Sequence, residues 1–448
     1  SDPVLQKTAT TRLAATVSSG FAGVGNGDYG FAPNAAPPDT NLAVGDTQIV
    51  QWVNESFIVF DKTSLHNVLQ GPIAGNSLWV GFGGGCETNN DGDPIVQYDQ
   101  AAGRWIFTQF SVSTTPYLQC VAVSTTSDAT SAYNRYAFSY GNTQFIDYPK
   151  LGVWPDAYYI TYNIFNNGTT FAGPKTCAWD RTAMLAGASA TQVCFQLGTS
   201  VNSLLPADLD GATNPPAGAP NYQLSLGSNA LNFFKFHVDF ATPANSTLTG
   251  PTSLAVPAFS KACNGGTCVP QSGTKQKLDS LGDRLMHRLA YRVQTGGAET
   301  LLVNHSVVAG TSTGIRWYEL HVTTGSPSLY QAGTYAPDAK YRWMGSIAMD
   351  KNGNIGLGYS ESSSTSNPSI AVTGRAVTDP LNVLQAESVV KFGTGSQLRN
   401  LSRWGDYSAI QIDPTDDCTF YYTTEYLKSS GTFNWSTWIT PFKMNGCQ

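Results

Sequence analysis

Two arginine–tryptophan pairs stand in front of alternating apolar runs. Arg342 and Trp343 open "RWMGSIAMDKNGN", and Arg403 and Trp404 open "RWGDYSAIQID". An arginine fork grips a carboxylate through paired hydrogen bonds. A tryptophan face stacks on a sugar ring, and Asp406 and Tyr407 after the second pair are groups that transfer protons. Comparable clusters come earlier: Asp39 in "PPDT", Asp91 and Asp93 in "NNDGDP", Asp147, Tyr148 and Lys150 in "DYPK", Arg284 and His287 in "RLMHR". Only 12% of the residues are charged, so this gathering of charge is a signal in itself. Carboxylates dominate the early clusters and cations the later ones, which would suit a divided site. Arg284, Arg342, Arg403 and Lys150 would hold an anionic group, with Trp343 and Trp404 stacking beside it. Asp93, Asp147 or Asp406 would act as acid or base, with Tyr148, Tyr407 or His287 as partner. The plainer reading is structural, because a buried Arg–Asp pair ties packed elements together. Both readings stay open for each residue.

Asp91 and Asp93 flank a glycine, an alternation of oxygen ligands that would wrap calcium. An Asx-rich turn has the same letters. Calcium is the only cofactor the sequence brings to mind, and none is required. "GTSTG" at 310–314 matches a nucleophile elbow in letters, but it joins two strands where the elbow needs strand, turn and helix. "GFGGGC" lacks the lysine of a phosphate loop. His66, His237, His305 and His321 share no spacing.

The elements that would position these residues repeat. A short apolar strand, an Asp or turn, and a second Tyr/Ile/Val-rich strand recur from 41, 94, 151, 289, 345 and 408. Neighbouring intervals are 53, 57, 56 and 63, and the long gap of 138 has room for two units. Seven hairpin-bearing units of this period predict an all-β, seven-bladed β-propeller, with four-stranded antiparallel blades around a central channel. Residues 1–448 would form a single domain. Residues 1–36 would close the ring, and residues 198–280 would be an irregular fourth blade with an insertion that holds the Cys263–Cys268 loop. The charged clusters, each read as preceding the first strand of its unit, would then line the channel mouth.

Eight cysteines point to an oxidising compartment. Proximity pairs them as Cys86–Cys120, Cys177–Cys194, Cys263–Cys268 and Cys418–Cys447. Six sequons, at Asn54, Asn167, Asn245, Asn304, Asn400 and Asn434, would matter only where secreted chains are glycosylated. A net charge of −6 without a basic run argues against nucleic acid. No apolar stretch is long enough for a membrane span. The opening "SDPVLQ" would fit a mature secreted form.

The repeat length and blade pattern resemble secreted bacterial seven-bladed propellers, including sialidase-like and polysaccharide-lyase propellers. The sialidase Asp-box is absent. "DYPK…WPD", "RLMHRLAYR" and "RWGDYS" also resemble a secreted bacterial propeller family, which suggests kinship and supplies no activity. Two functions stay in play. One is a non-catalytic extracellular protein that binds or adheres to glycan, partners another surface protein or self-assembles. The other is a glycoside hydrolase or polysaccharide lyase acting on anionic glycans at the channel mouth.

Overall fold

The computed structural model describes residues 1–64 and 66–448. Strands hold 49% of the chain and helices 5%, so the all-β expectation stands. The chain resolves into two compact units, residues 42–253 and residues 1–41 with 254–448.

Residues 42–253 carry four antiparallel arrays of four strands, each in chain order. The first runs Asn41–Val44, Gln48–Val53, Ser56–Asp61, Val68–Ala74. The second runs Ile95–Asp99, Arg104–Ser111, Leu118–Ser124, Tyr133–Ser139. The third runs Gln144–Val153, Tyr158–Asn166, Thr170–Trp179, Gln192–Gln196. The fourth runs Leu205–Asp210, Asn221–Leu226, Ala230–His237, Thr247–Ala255.

The other unit carries three more, besides a two-stranded pair of Thr267–Val269 with Leu278–Asp279. The fifth sheet runs Met286–Val293, Glu299–Ala309, Ser312–Thr323, Ser326–Tyr335, with Leu5–Gln6 added in parallel at its edge. The sixth runs Tyr341–Met349, Ile355–Ser363, Ser366–Arg375, Ser388–Lys391. The seventh runs Ala409–Ile412, Phe420–Tyr426, Ser436–Met444, and Ala15–Val17 and Phe21–Ala22 both pair with its last strand. The Cys263–Cys268 loop, expected within the fourth repeat, follows that sheet's last strand and belongs to the later residues. All four disulfides pair as proximity implied.

The hairpins form where the sequence supplies their turns. In "DKNGN" the Asp350 carboxylate accepts the N–H groups of Asn352 and Asn354 at 2.9 and 3.0 Å. Gly353 there takes a φ of 85°, which costs a side-chain-free residue little. Asp413 accepts the Thr415 N–H in the same way.

Both faces of a sheet are buried, on alternating residues. In the second sheet, Ile95, Ile106, Val121 and Val123 pack against Ile146, Ile160 and Trp179 of the third. Their neighbours Val96, Trp105, Phe107 and Ala122 pack against Val50, Trp52 and Phe57 of the first. The sixth sheet does the same, with Ile347, Leu357 and Tyr359 towards the fifth and Ala348, Ile370 and Val372 towards the seventh. Two glycines make the second contact possible. A Cβ at Gly356 would lie 2.9 Å from the Phe420 ring, and one at Gly358 2.4 Å from that of Tyr422.

The first residues are held by charge. Arg316 is fully buried and meets the Asp2 carboxylate at 2.7 Å. Thr334 Oγ1 and the Val4 N–H also donate to that carboxylate. Removing one partner of a buried pair leaves the other charge uncompensated. Asp2→Ala is therefore expected to destabilise this unit by about 3–5 kcal/mol, read as a lower urea midpoint. The exposed Lys7→Ala should leave the midpoint where it is. Equal midpoints for Asp2→Ala and the parent would sink this assignment.

Candidate functional site

The entries to the first strands share a backbone feature that no residue type announces. Asp39, Asp93, Tyr148, Ser203, Met344 and Asp406 all have φ between 46° and 63°. For a tyrosine or methionine this left-handed conformation is a true outlier, and such strain persists only where the surroundings enforce it. Bulges accompany it, between Asp147 and Lys150 and between Trp343 and Ser346. Asp147, Tyr148, Lys150, His287, Arg342 and Trp343 therefore lie inside first strands, where the sequence reading set them ahead.

The left-handed residues also correct the register of the two Arg-Trp pairs. Arg342 stands two residues before Met344, and Arg403 stands three before Asp406. The pairs are therefore out of step by one residue, which in a strand reverses the face a side chain takes.

Their environments differ accordingly. The Arg342 side chain is fully buried, and its N–H groups go to Glu387 at 2.6 and 3.1 Å, to Asp338 at 2.9 Å, to the Lys340 carbonyl and towards Glu361 at 3.7 Å. Four of the five guanidinium donors are thereby bonded and the charge also faces Glu361, so Arg342 is a tie within the sheet and not the anion grip expected. Trp343 and Trp404 are also internal, at 0% and 1% exposure, with ring centres 6.1 Å apart. Trp404 Nε1 donates to Ser360 Oγ at 3.3 Å. Neither ring has a face for a sugar, which corrects the stacking role expected of them.

Arg403 is different, because half of its side chain is exposed. It forms a two-pronged pair with Asp406, and the charges of Asp39 and Asp279 also act on it. The Asp39 N–H donates to the Gly405 carbonyl at 3.0 Å, and the Gly405 N–H donates to Glu425 Oε1 at 2.8 Å. Burial pushes the Glu425 carboxyl well above the usual range, with a smaller push from Asp406. Tyr407 is buried with its ring centre 6.1 Å from that of His287, itself 2% exposed. Asn304, one of the six sequons, is fully buried against Gly345, where a Cβ would come within 2.6 Å of its Oδ1. Arg284 forks onto its neighbour Asp283 at 2.9 and 3.1 Å.

The remaining candidates belong to residues 42–253. Asp91 Oδ2 accepts the N–H groups of Val112 and Ser113 at 2.7 and 2.8 Å, and Oδ1 accepts the Ser113 hydroxyl, so Asp91 closes a turn. Among the described residues no group of three or more His, Cys, Asp or Glu is placed to hold a metal ion. Lys150 is buried, with its ammonium 3.6 Å from the centre of the Tyr148 ring and bonded to the Pro149 carbonyl. Asp93 and Asp147 are half-buried.

Sequence reasoning missed Asp279, Glu425, Glu361 and Glu387. A lone acid inside the aromatic run "FYYTTEYL" was the available signal for Glu425. Glu361 and Glu387 gave none, because Arg342 brings them together from separate segments. The Glu361 carboxyl is pushed up to about 7 by burial and by Glu387, while Arg342 and Lys340 oppose the shift. Burial raises Glu387 too, but bonds from Arg342, Glu361 and the Tyr359 hydroxyl outweigh it, and its carboxyl titrates below the ordinary range. Asp338 and Tyr335 complete the charged and titratable groups around this pair.

The sign of the pH effect follows. Glu361 has a folded value above its ordinary 4.5, so its contribution to stability is complete below 4.5 and is lost as pH rises to about 7. Glu387, shifted down, contributes above its ordinary value and loses that contribution on acidification. Glu361→Gln removes the first effect. The urea midpoint of the variant minus that of the parent should rise between pH 4.5 and 7 and level off above. A difference that stays flat across that range would refute the protonated role of Glu361.

No family model matches the chain, and no curated protein matches it in sequence. Solved structures that resemble it do so loosely. An ulvan lyase of polysaccharide lyase family PL25 is 11% identical with a TM-score of 0.40, over 93% of this chain and 97% of that one. The α-L-arabinanase of Penicillium chrysogenum, complexed with arabinobiose, is 10% identical with a TM-score of 0.38, over 82% and 98%. The N-terminal domain of Nup159 is 10% identical with a TM-score of 0.39, over 98% and 100%. Likeness at this level bears on neither descent nor activity.

Proposed function

We propose that the seven sheets are blades of one secreted β-propeller, which binds extracellular carbohydrate without turning it over. The observation that carries this reading is the state of Arg403. It is a half-exposed guanidinium next to Asp406, with Asp39 and Asp279 acting on it, while Arg342, Trp343 and Trp404 are committed internally. A cation outnumbered by carboxylates offers N–H donors and acceptors together, which suits sugar hydroxyls better than a uronate. The expected preference therefore moves from anionic to neutral glycans. Four disulfides fit the oxidising compartment such a role needs. No helix among the described residues is long and apolar enough to cross a membrane.

A second reading, a carbohydrate-active hydrolase or lyase, rests on Glu425 and Asp406. A carboxyl whose pKa burial raises, beside a second carboxyl, is a pattern that acid–base catalysis uses.

The test is a panel of neutral, uronate-containing and sialylated glycans, followed for binding, for new reducing ends and for absorbance at about 235 nm from the unsaturated product of elimination. Neutral glycans should bind and no product should form. Arg403→Ala should weaken binding by about 1.5–3 kcal/mol. Its half-exposed pair with Asp406 is worth about 0–1 kcal/mol to the fold, so the melting temperature should barely move. Turnover that Glu425→Gln abolishes would establish the second reading. No binding to any glycan would turn the search to protein partners and self-association.

A further inference from the structure

The cavity that residues 42–253 build lies at the opposite ends of the first strands from the entries that the sequence singled out. The second, third and fourth sheets send the ends of Ile95–Asp99, Gln144–Val153 and Leu205–Asp210 to one place, where Arg181 joins them. The enclosed volume is about 140 Å³. That is close to the roughly 150 Å³ apolar cavity that takes benzene, so the space suits a group of a few heavy atoms. A shallower groove of about 270 Å³ shares Trp154, Pro155 and Asn214 with it and continues along residues 214–219. Trp154 Nε1 donates to the Ala219 carbonyl at 3.2 Å and holds that segment in place.

One polar group is aimed at this space by design of the fold. Asp99 is 1% exposed, and Arg181 grips it through Nε at 2.7 Å and Nη2 at 3.1 Å. The Tyr158 hydroxyl donates to the same carboxylate at 2.7 Å, and burial keeps that hydroxyl protonated far above its ordinary range. Arg181 Nη1 donates to the Pro155 carbonyl at 3.1 Å. Three of the five guanidinium N–H groups thus have partners among the described residues. The side chain is 14% exposed and lines the cavity, so N–H donors remain for a ligand. The rest of the wall is largely apolar, from Val153, Trp154, Pro155, Leu209 and Ala212.

A carboxylate fits this poorly. Its charge would add to those of Asp99 and Asp156, which already outnumber the single cation Arg181. A neutral carbonyl with a methyl group fits well: the oxygen accepts from Arg181 and the methyl meets the apolar wall. We infer that this cleft is a carbohydrate subsite for an N-acetylated sugar, with the acetamido arm in the pocket and the pyranose ring in the adjoining groove. The inference stands apart from the strand-entry cluster and shares no residue with it.

The test titrates the full chain with N-acetylglucosamine, glucose and glucuronate by calorimetry, with saturation-transfer NMR to locate the contact. N-acetylglucosamine should bind with the strongest transfer at its acetamido methyl. Glucose should be weaker by roughly 10- to 100-fold, the loss of one hydrogen bond to a charged group, and glucuronate should do no better than glucose. Ala212→Trp fills the cavity from an exposed position, so it should abolish binding at an unchanged urea midpoint; Arg181→Gln should also weaken binding. Arg403→Ala should leave this affinity intact, which separates the outcome from that of the strand-entry site. Equal affinity for glucose, tighter binding of glucuronate, or undiminished binding by Ala212→Trp would each overturn the inference.

Discussion

Every part of this fold depends on sheets that are buried on both faces. A four-stranded sheet wet on one side would alternate apolar and polar residues, and would need charge to do so. Here successive residues such as Ile95 and Val96 go to different neighbours and both are fully buried. That is why the chain manages with 12% charged residues and spends its aromatics inside. It also explains Gly356 and Gly358, which are glycines because the rings of Phe420 and Tyr422 occupy the space a side chain would need.

Burial on both faces leaves little room for polar chemistry except at strand ends. The left-handed residues and bulges at the strand entries turn a few side chains out of the packed layers, and the hairpin ends do the same at the other side. The fate of a charged residue then depends on its place within that irregular step. One residue of difference takes Arg342 into a closed network of carboxylates and leaves Arg403 at the surface. Such networks are costly to break, because removing one partner leaves the other buried charges uncompensated.

The sheets were legible in the sequence because period, turn residues and strand composition agree with one another. "DKNGN" forms the hairpin that its Asp and Asn-Gly imply, and the four disulfides join the cysteines nearest in sequence. The candidate site was legible only in outline. Arg403 and Asp406 do meet, but the left-handed positions are filled by Asp, Tyr, Ser and Met, so no letter marks them. Reading the Arg-Trp pairs as equivalent failed for the same reason, since a bulge adds a residue that a spacing rule does not see. Asp99 and Arg181 are 82 residues apart and meet because strand ends converge, which is a property of tertiary packing.

The pairing of Ala15–Val17 with the strand Ser436–Met444 has a consequence for the order in which the molecule is made. On a ribosome, residues 42–253 emerge as a continuous stretch. Ala15–Val17 and Phe21–Ala22 leave earlier still, yet both pair with Ser436–Met444, which emerges long after them. Closing that contact draws together segments more than four hundred residues apart, and non-local contacts of this kind form late. Until then the last strand of the seventh sheet keeps an open edge, a template for pairing with the wrong chain. Assembly would therefore be most vulnerable when residues 15–22 have to find the strand Ser436–Met444.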